Sequence, residues 1–140
     1  SYSSGEHVSH ATMLHLSAVP FSQDRNSDGF ADITNGSQLN LLHRTHFHSH
    51  SGWEGQFGLN LVQDKKQGGE MEFLAQSDAN RNLFWGFEST DERAEIFGKL
   101  GYAFQDEVYR SFGLIYSGSY QNRKSQFGQR DTKAELTNLY

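Results

Sequence analysis

The chain has no cysteine in its 140 residues, which excludes a disulfide framework and any thiolate metal site. Its one proline, Pro20, leaves almost nothing that would interrupt a hydrogen-bonded strand. Basic charge is in deficit, with 12 Lys and Arg against 17 Asp and Glu. Without a basic field to neutralise phosphates, no nucleic-acid partner is expected. No apolar run is long enough for a transmembrane helix. Catalytic patterns are missing too: there is no nucleophile elbow, phosphate-binding glycine loop or metalloprotease helix, so the chain does not read as an enzyme. No internal repeat, low-complexity tract or linker divides it, and its length is that of one domain or part of one.

What is present is a rhythm. Alternating apolar and polar stretches cover residues 7–19, 38–48, 53–64, 93–104, 109–121 and 133–140. The connections run long (20–37), short (49–52), long (65–92), short (105–108) and long (122–132). Long strands with short turns at one end and long loops at the other are the pattern of an outer-membrane β-barrel. A soluble sandwich has shorter strands and no such bias. The mean hydropathy of −0.72 does not exclude a barrel, whose lumen and loops are polar. Glycines inside the stretches, among them Gly55, Gly58, Gly98 and Gly101, relieve crowding in a curved wall. The fold expected is all-β, an antiparallel up-and-down meander of about six long strands. Six such strands leave two bare edges, and small closed barrels need about eight, so a larger wall is expected to include them.

Period two assigns the faces. Trp53, Gly55, Phe57, Leu59 and Leu61 oppose Glu54, Gln56, Gly58 and Asn60, with Val62 an exception. Ala94, Ile96, Leu100, Tyr102 and Phe104 oppose Arg93, Glu95 and Lys99, with Phe97 an exception. Phe112, Leu114, Tyr116 and Tyr120 oppose Ser111, Ser117, Ser119 and Gln121. Leu39, Leu41 and Phe47 fall on the apolar side, Arg44, His46 and His48 on the polar side. Phe47, Trp53, Tyr102, Phe104, Tyr109 and Phe112 gather beside the two short turns, where an interfacial aromatic girdle belongs.

Two constellations carry metal chemistry. Asp24, Asn26, Asp28, the carbonyl of Phe30, and Asp32 place oxygens at alternate positions around Gly29. That matches the first half of a calcium loop, D-x-N-x-D-G, and departs from it at the twelfth position, where Asn35 replaces a bidentate Glu. A structural Ca²⁺ is one reading; an acidic turn tied by Asx hydrogen bonds is the other. The second constellation, His43 to His50, puts His46, His48 and His50 on one side about 7 Å apart, too far for one metal unless the strand bends. It is read as a polar, titratable lumen wall, as are Glu54, Asp64 and Glu95.

The runs DRNSDGFADI, NLLHRTHFHSHSGWEGQFGLNLVQDKKQGG, ERAEIFGKLGYAF and YRSFGLIYSGSYQNRKSQFGQRD resemble the barrel of TonB-dependent outer-membrane receptors. The branch most similar carries a carboxypeptidase-regulatory-like N-terminal extension. The most specific parts are D-x-N-x-D-G-F-x-D, G-x-x-G-Q-F-G at 52–58 and Y-R-S-x-G-L-I at 109–115. The resemblance implies a segment of a transmembrane β-barrel of about 22 strands in the outer membrane of a Gram-negative bacterium. It implies uptake of a scarce nutrient chelate of the cobalamin, heme or siderophore class. The partners implied are outer-membrane lipid, the remaining strands and plug domain, the TonB complex acting on the plug, and a surface lipoprotein. The His-rich strand departs from the family's usual polar or aromatic residues, and no substrate-binding residue is carried over. The alternative from another class is a soluble extracellular calcium-binding β-domain, acting in adhesion or carbohydrate binding. That reading requires the apolar face to be buried in a closed core.

Overall fold

The alternation is realised as a single antiparallel sheet. The structure, a computed structural model, describes residues 2–4, 8–76, 81, 83–105, 109–128 and 130–140, with the backbone alone at 2–4, 130 and 131. Six long strands follow chain order: β2 (Val8–Val19), β3 (Asn35–His48), β4 (Trp53–Gly69), β5 (Gly86–Ala103), β6 (Ser111–Phe127) and β7 (Arg130–Leu139). A three-residue strand, β1 (Tyr2–Ser4), pairs with the start of β2. Every strand pairs with its sequence neighbour, and the sheet is open, with β7 at one edge. A five-residue helix, α1 (Met71–Ala75), lies between β4 and β5. Among the described residues no helix is long and apolar enough to cross a membrane, which says nothing of strands that cross one.

Register fixes the faces across the sheet. Leu14 stands opposite Leu41, Leu41 opposite Leu61, Leu61 opposite Ala94, and Ala94 opposite Tyr120. Directly opposed residues share a face, so the apolar sets expected for separate strands merge into one surface. Slipping any strand by one residue would move its whole apolar set to the polar side. Several large rings cover neighbouring glycines. Phe47 lies over Gly55, Phe97 over Gly58 and Tyr116 over Gly98, each filling the space a Cβ would need. That pairing explains glycines that would otherwise weaken strand interiors.

The strands run further than the alternation foretells. The connection expected over 65–92 shrinks to 70–85, because β4 continues to Gly69 and β5 begins at Gly86. The long connection expected over 122–132 shrinks to 128–129, because β6 continues to Phe127 and β7 begins at Arg130; Gly128 has φ 56°. In both places the strands rise past the apolar residues into segments polar on both faces, such as Lys65-Lys66-Gln67 and Asn122-Arg123-Lys124. Period two leaves no hydropathy trace there. The short–long bias therefore holds at two of the three connections at that end. At the opposite end the turn at 49–52 is tight, closed by Ser49 N–H to the Trp53 carbonyl at 2.7 Å and Gly52 N–H to the Ser49 carbonyl at 3.0 Å. Most of the turn expected over 105–108 lies outside the described residues; Phe104 N–H donates to the Arg110 carbonyl across it, at 3.0 Å.

Gly52 is the position least able to change. Its φ is +93°, and an added Cβ would collide with the Ala103 backbone carbonyl, which cannot swing away. Gly52→Ala is expected to cost about 1–3 kcal/mol. Gly101→Ala, whose Cβ would meet nothing closer than 3.7 Å, is expected to be near neutral. Reversible urea unfolding in detergent micelles compares them, and equal effects would refute the turn argument.

Candidate functional site

The sheet has one apolar face, and among the described residues nothing packs on it. Phe57, Leu59 and Leu61 of β4, Ile96 and Leu100 of β5, and Leu114 and Tyr116 of β6 all lie there, and none is buried. Leu14 is 61% exposed and Leu114 59%. The only fully buried large apolar side chain among the described residues is Phe73, which belongs to a loop. The apolar band on β4 runs from Trp53 to Leu61, about 27 Å along the strand at roughly 3.3–3.4 Å per residue. Tilted by about 35–45°, that is about 20 Å of height, close to the ~25 Å apolar band of an outer-membrane barrel. Beyond it the same face turns polar, through Gln63, Glu92 and Asn122.

The end of the band beside the short turns is lined by packed rings. Trp53 and Tyr102 have centroids 4.9 Å apart, Tyr102 and Phe104 also 4.9 Å, and Phe112 sits 5.9 Å from both Trp53 and Tyr102. The Arg110 guanidinium lies 4.4 Å over Phe104. Of the aromatics expected in a girdle, these four form one cluster, Phe47 lies one row away over Gly55, and Tyr109 projects fully exposed.

Level with the band, the opposite face carries the charges. Arg93 pairs with Glu95, which accepts from Asn60 Nδ2 at 2.9 Å. Asp91 accepts from Gln121 and from Arg123, whose Nε lies at 3.0 Å. Lys66 pairs with Asp64 at 2.8 Å. His46 Nε2 lies 3.2 Å from Glu54, and His48 meets the His50 ring edge-on at 6.5 Å. Arg44, His46 and His48 lie on this face, and Leu39, Leu41 and Phe47 on the apolar one, as the phase requires. Glu54, Asp64 and Glu95, expected as separate wall charges, each have their own partner and do not converge.

One polar group on the apolar face has no counterpart in the sequence reading. His10 Nδ1 lies 2.9 Å from Thr45 Oγ1, His43 Nδ1 lies 2.8 Å from Thr12 Oγ1, and the imidazoles stack at 5.9 Å. The residues are distant in sequence and meet only because β2 and β3 are in register. Pairing with threonine hydroxyls offsets the cost of placing imidazoles in an apolar surface.

At the loop end, the acidic segment is tied to the sheet. Asp24 accepts from Gly29 N–H at 2.9 Å and Asp28 N–H at 3.3 Å, and Asp28 accepts from Phe30 N–H at 2.8 Å. Asn26 Nδ2 donates to Asp28 at 2.9 Å, and Asp32 accepts from Arg25 N–H at 2.8 Å. Gly29 has φ +86°, which a residue with a Cβ resists. Asp24, Asn26 and Asp28 thus come together, whereas Asp32 faces the loop's own backbone. Among the described residues no group of three or more His, Cys, Asp or Glu is arranged to hold a metal ion. The segment docks through Ala31 N–H to the Gly69 carbonyl at 2.9 Å, Met71 N–H to the Gly29 carbonyl at 2.8 Å, and Phe30 against Trp85 at 6.2 Å.

No family model, curated protein or solved structure matches the chain. Function therefore has to be argued from the two faces and the loop cap.

Arg81 ties the described part of the 70–85 connection together. Arg81 lies 4.0 Å over the Phe73 ring, donates to the Phe73 carbonyl at 3.2 Å, and pairs with Glu88 at 2.8 Å. Arg81→Lys keeps the charge and loses the fork, which is expected to cost about 1–2 kcal/mol locally. Amide exchange around α1 should rise about 5–30-fold; unchanged exchange would show that Arg81 does not hold the cap.

Proposed function

We propose that this sheet is part of the wall of an outer-membrane β-barrel, within a TonB-dependent receptor that imports a scarce nutrient chelate of the cobalamin, heme or siderophore class. The observation that carries the wall reading is the single layer: strands β2 to β6 present one continuous apolar face, with no second layer over it among the described residues. Leaving a dozen such side chains even half exposed to water would forfeit on the order of 10–18 kcal/mol, as much as the ~5–15 kcal/mol stability of a whole domain. Hydrocarbon removes that cost. The transporter reading draws on the sequence resemblance, with lipid on the apolar face, the lumen on the ion-paired face, and plug, TonB complex and surface lipoprotein as partners. The turn at 49–52 and the connection at 105–108 would be periplasmic, and the 20–34 and 70–85 loops extracellular. The soluble adhesion or carbohydrate-binding alternative needs a closed core, and no observation here favours it.

Leu41→Arg, on the apolar face near mid-band, is expected to cost about 2–4 kcal/mol in a bilayer. His46→Gln, on the polar face, should be close to neutral. Folding titrations into lipid vesicles compare the two, and equal large losses would overturn the wall reading.

We also propose a structural Ca²⁺ at Asp24, Asn26, Asp28, Asp32 and the Phe30 carbonyl. The donors are hard oxygens of the kind calcium takes, and the Asp24 and Asn26 side-chain oxygens already converge on the Asp28 N–H, each at 3.3 Å. Asp32 would have to turn from Arg25. Calcium titration by calorimetry should show binding and slower protease nicking of 20–34, both lost in Asp28→Ala. Unchanged nicking in millimolar calcium would leave the segment as an Asx-tied acidic turn.

A further inference from the structure

We propose that the outward side of the β6–β7 hairpin, above the apolar band, binds the phosphate of an outer-leaflet glycolipid head group between Lys124 and Lys133. This rests on the wall reading and adds a ligand to it. The two lysines are direct partners in the ladder, so they share a face with Cβ atoms about 4.5–5.5 Å apart. Both are exposed, and among the described residues neither makes an ion pair. Like charges directly opposed in a sheet repel unless an anion lies between them. Thr90 on β5 and Lys65 on β4 continue the row, and with Glu88 and Gln126 the two hairpin lysines line a groove of ≈ 310 Å³.

Height identifies the anion's source. Lys124 lies four residues beyond Tyr120, the last ring on the apolar face of β6. That is about 13 Å along the strand and about 10 Å upward at a 35–45° tilt, in the head-group layer flanking the roughly 30 Å hydrocarbon core. The lysines face the same way as the apolar band, so a lipid lying against that band carries its head group past them. Carboxylates bound the size of the ligand. Glu92 and Glu135 occupy the row below and Glu88 the row above. A compact phosphate fits between the ammonium groups, whereas an extended polyanion such as a nucleic acid would be repelled by the flanking rows.

The test uses the full chain in neutral detergent micelles doped with lipid A, with its dephosphorylated form or with phosphatidylcholine, measuring lipid retained after gel filtration. Wild type should retain phosphorylated lipid A about tenfold more tightly than either other lipid. K124Q/K133Q should lose that preference while inserting normally, and Lys66→Gln, on the opposite face, should keep it. Equal retention of the dephosphorylated lipid, or an unchanged double variant, would overturn the head-group site alone. Full displacement by millimolar inorganic phosphate would reassign the site to free phosphate and overturn the lipid assignment. Failure of wild type to enter micelles would overturn the wall reading and this site with it.

Discussion

The structure depends on one constraint: the antiparallel register that keeps every apolar set on the same side of a single layer. Leu14, Leu41, Leu61, Ala94 and Tyr120 form one row because five successive strands are paired in phase. A one-residue slip of β6 on β5 would move Leu114 and Tyr116 to the side of Arg93, Glu95 and Asp91, and would break the Asp91–Arg123 pair. The hydrogen-bonded ladder and the two-faced pattern therefore enforce each other. With Phe73 the one buried apolar side chain among the described residues, cohesion comes from the ladder, from rings laid over glycines and from ion pairs on the polar face.

That arrangement divides the work between environments. The apolar band with its ring cluster at the short-turn end suits hydrocarbon bounded by an interface. The opposite face is built for water: its carboxylates are neutralised in pairs, Asp64 and Glu95 by partners on their own strands and Asp91 and Glu54 by partners on a neighbouring strand, so it is polar without a strong field of either sign. Strands that continue past the band carry the loops clear of it. There Arg81 and the Asp24–Asp28 turn convert two long connections into a docked cap, reducing the entropy that free loops would retain. The His10–Thr45 and His43–Thr12 pairs show how a polar group sits within the band once its hydrogen bonds are met internally.

Much of this was legible in the sequence, for a physical reason. Where one face is apolar and the other polar, period two appears directly, and the alternation from Trp53 to Leu61 gives the phase that the pairing of β4 has. Legibility ended where the asymmetry ended. Lys65 to Gly69, Gly86 to Glu92 and Asn122 to Phe127 are strand with polar residues on both sides, and they read as loop. Phe97 and Val62 broke the alternation, and the pairing explains Phe97, which covers Gly58. The acidic loop was legible as a tied turn from its Asx spacing. Its docking onto Gly69 and Met71 was not, because contacts between segments far apart in sequence leave no local signal. The His10–His43 stack was missed for the same reason.

On the wall reading, the apolar face of β4 meets hydrocarbon while its opposite face meets water. Spin labels placed singly at residues 56–61 in lipid vesicles, read by collision with oxygen and with a water-soluble nickel chelate, test it directly. The account predicts a strict two-residue alternation, with oxygen contact highest at positions 57, 59 and 61 and nickel contact highest at 56, 58 and 60. Low collision with both reagents at 57, 59 and 61 would mean that this face is buried in protein, and would contradict it.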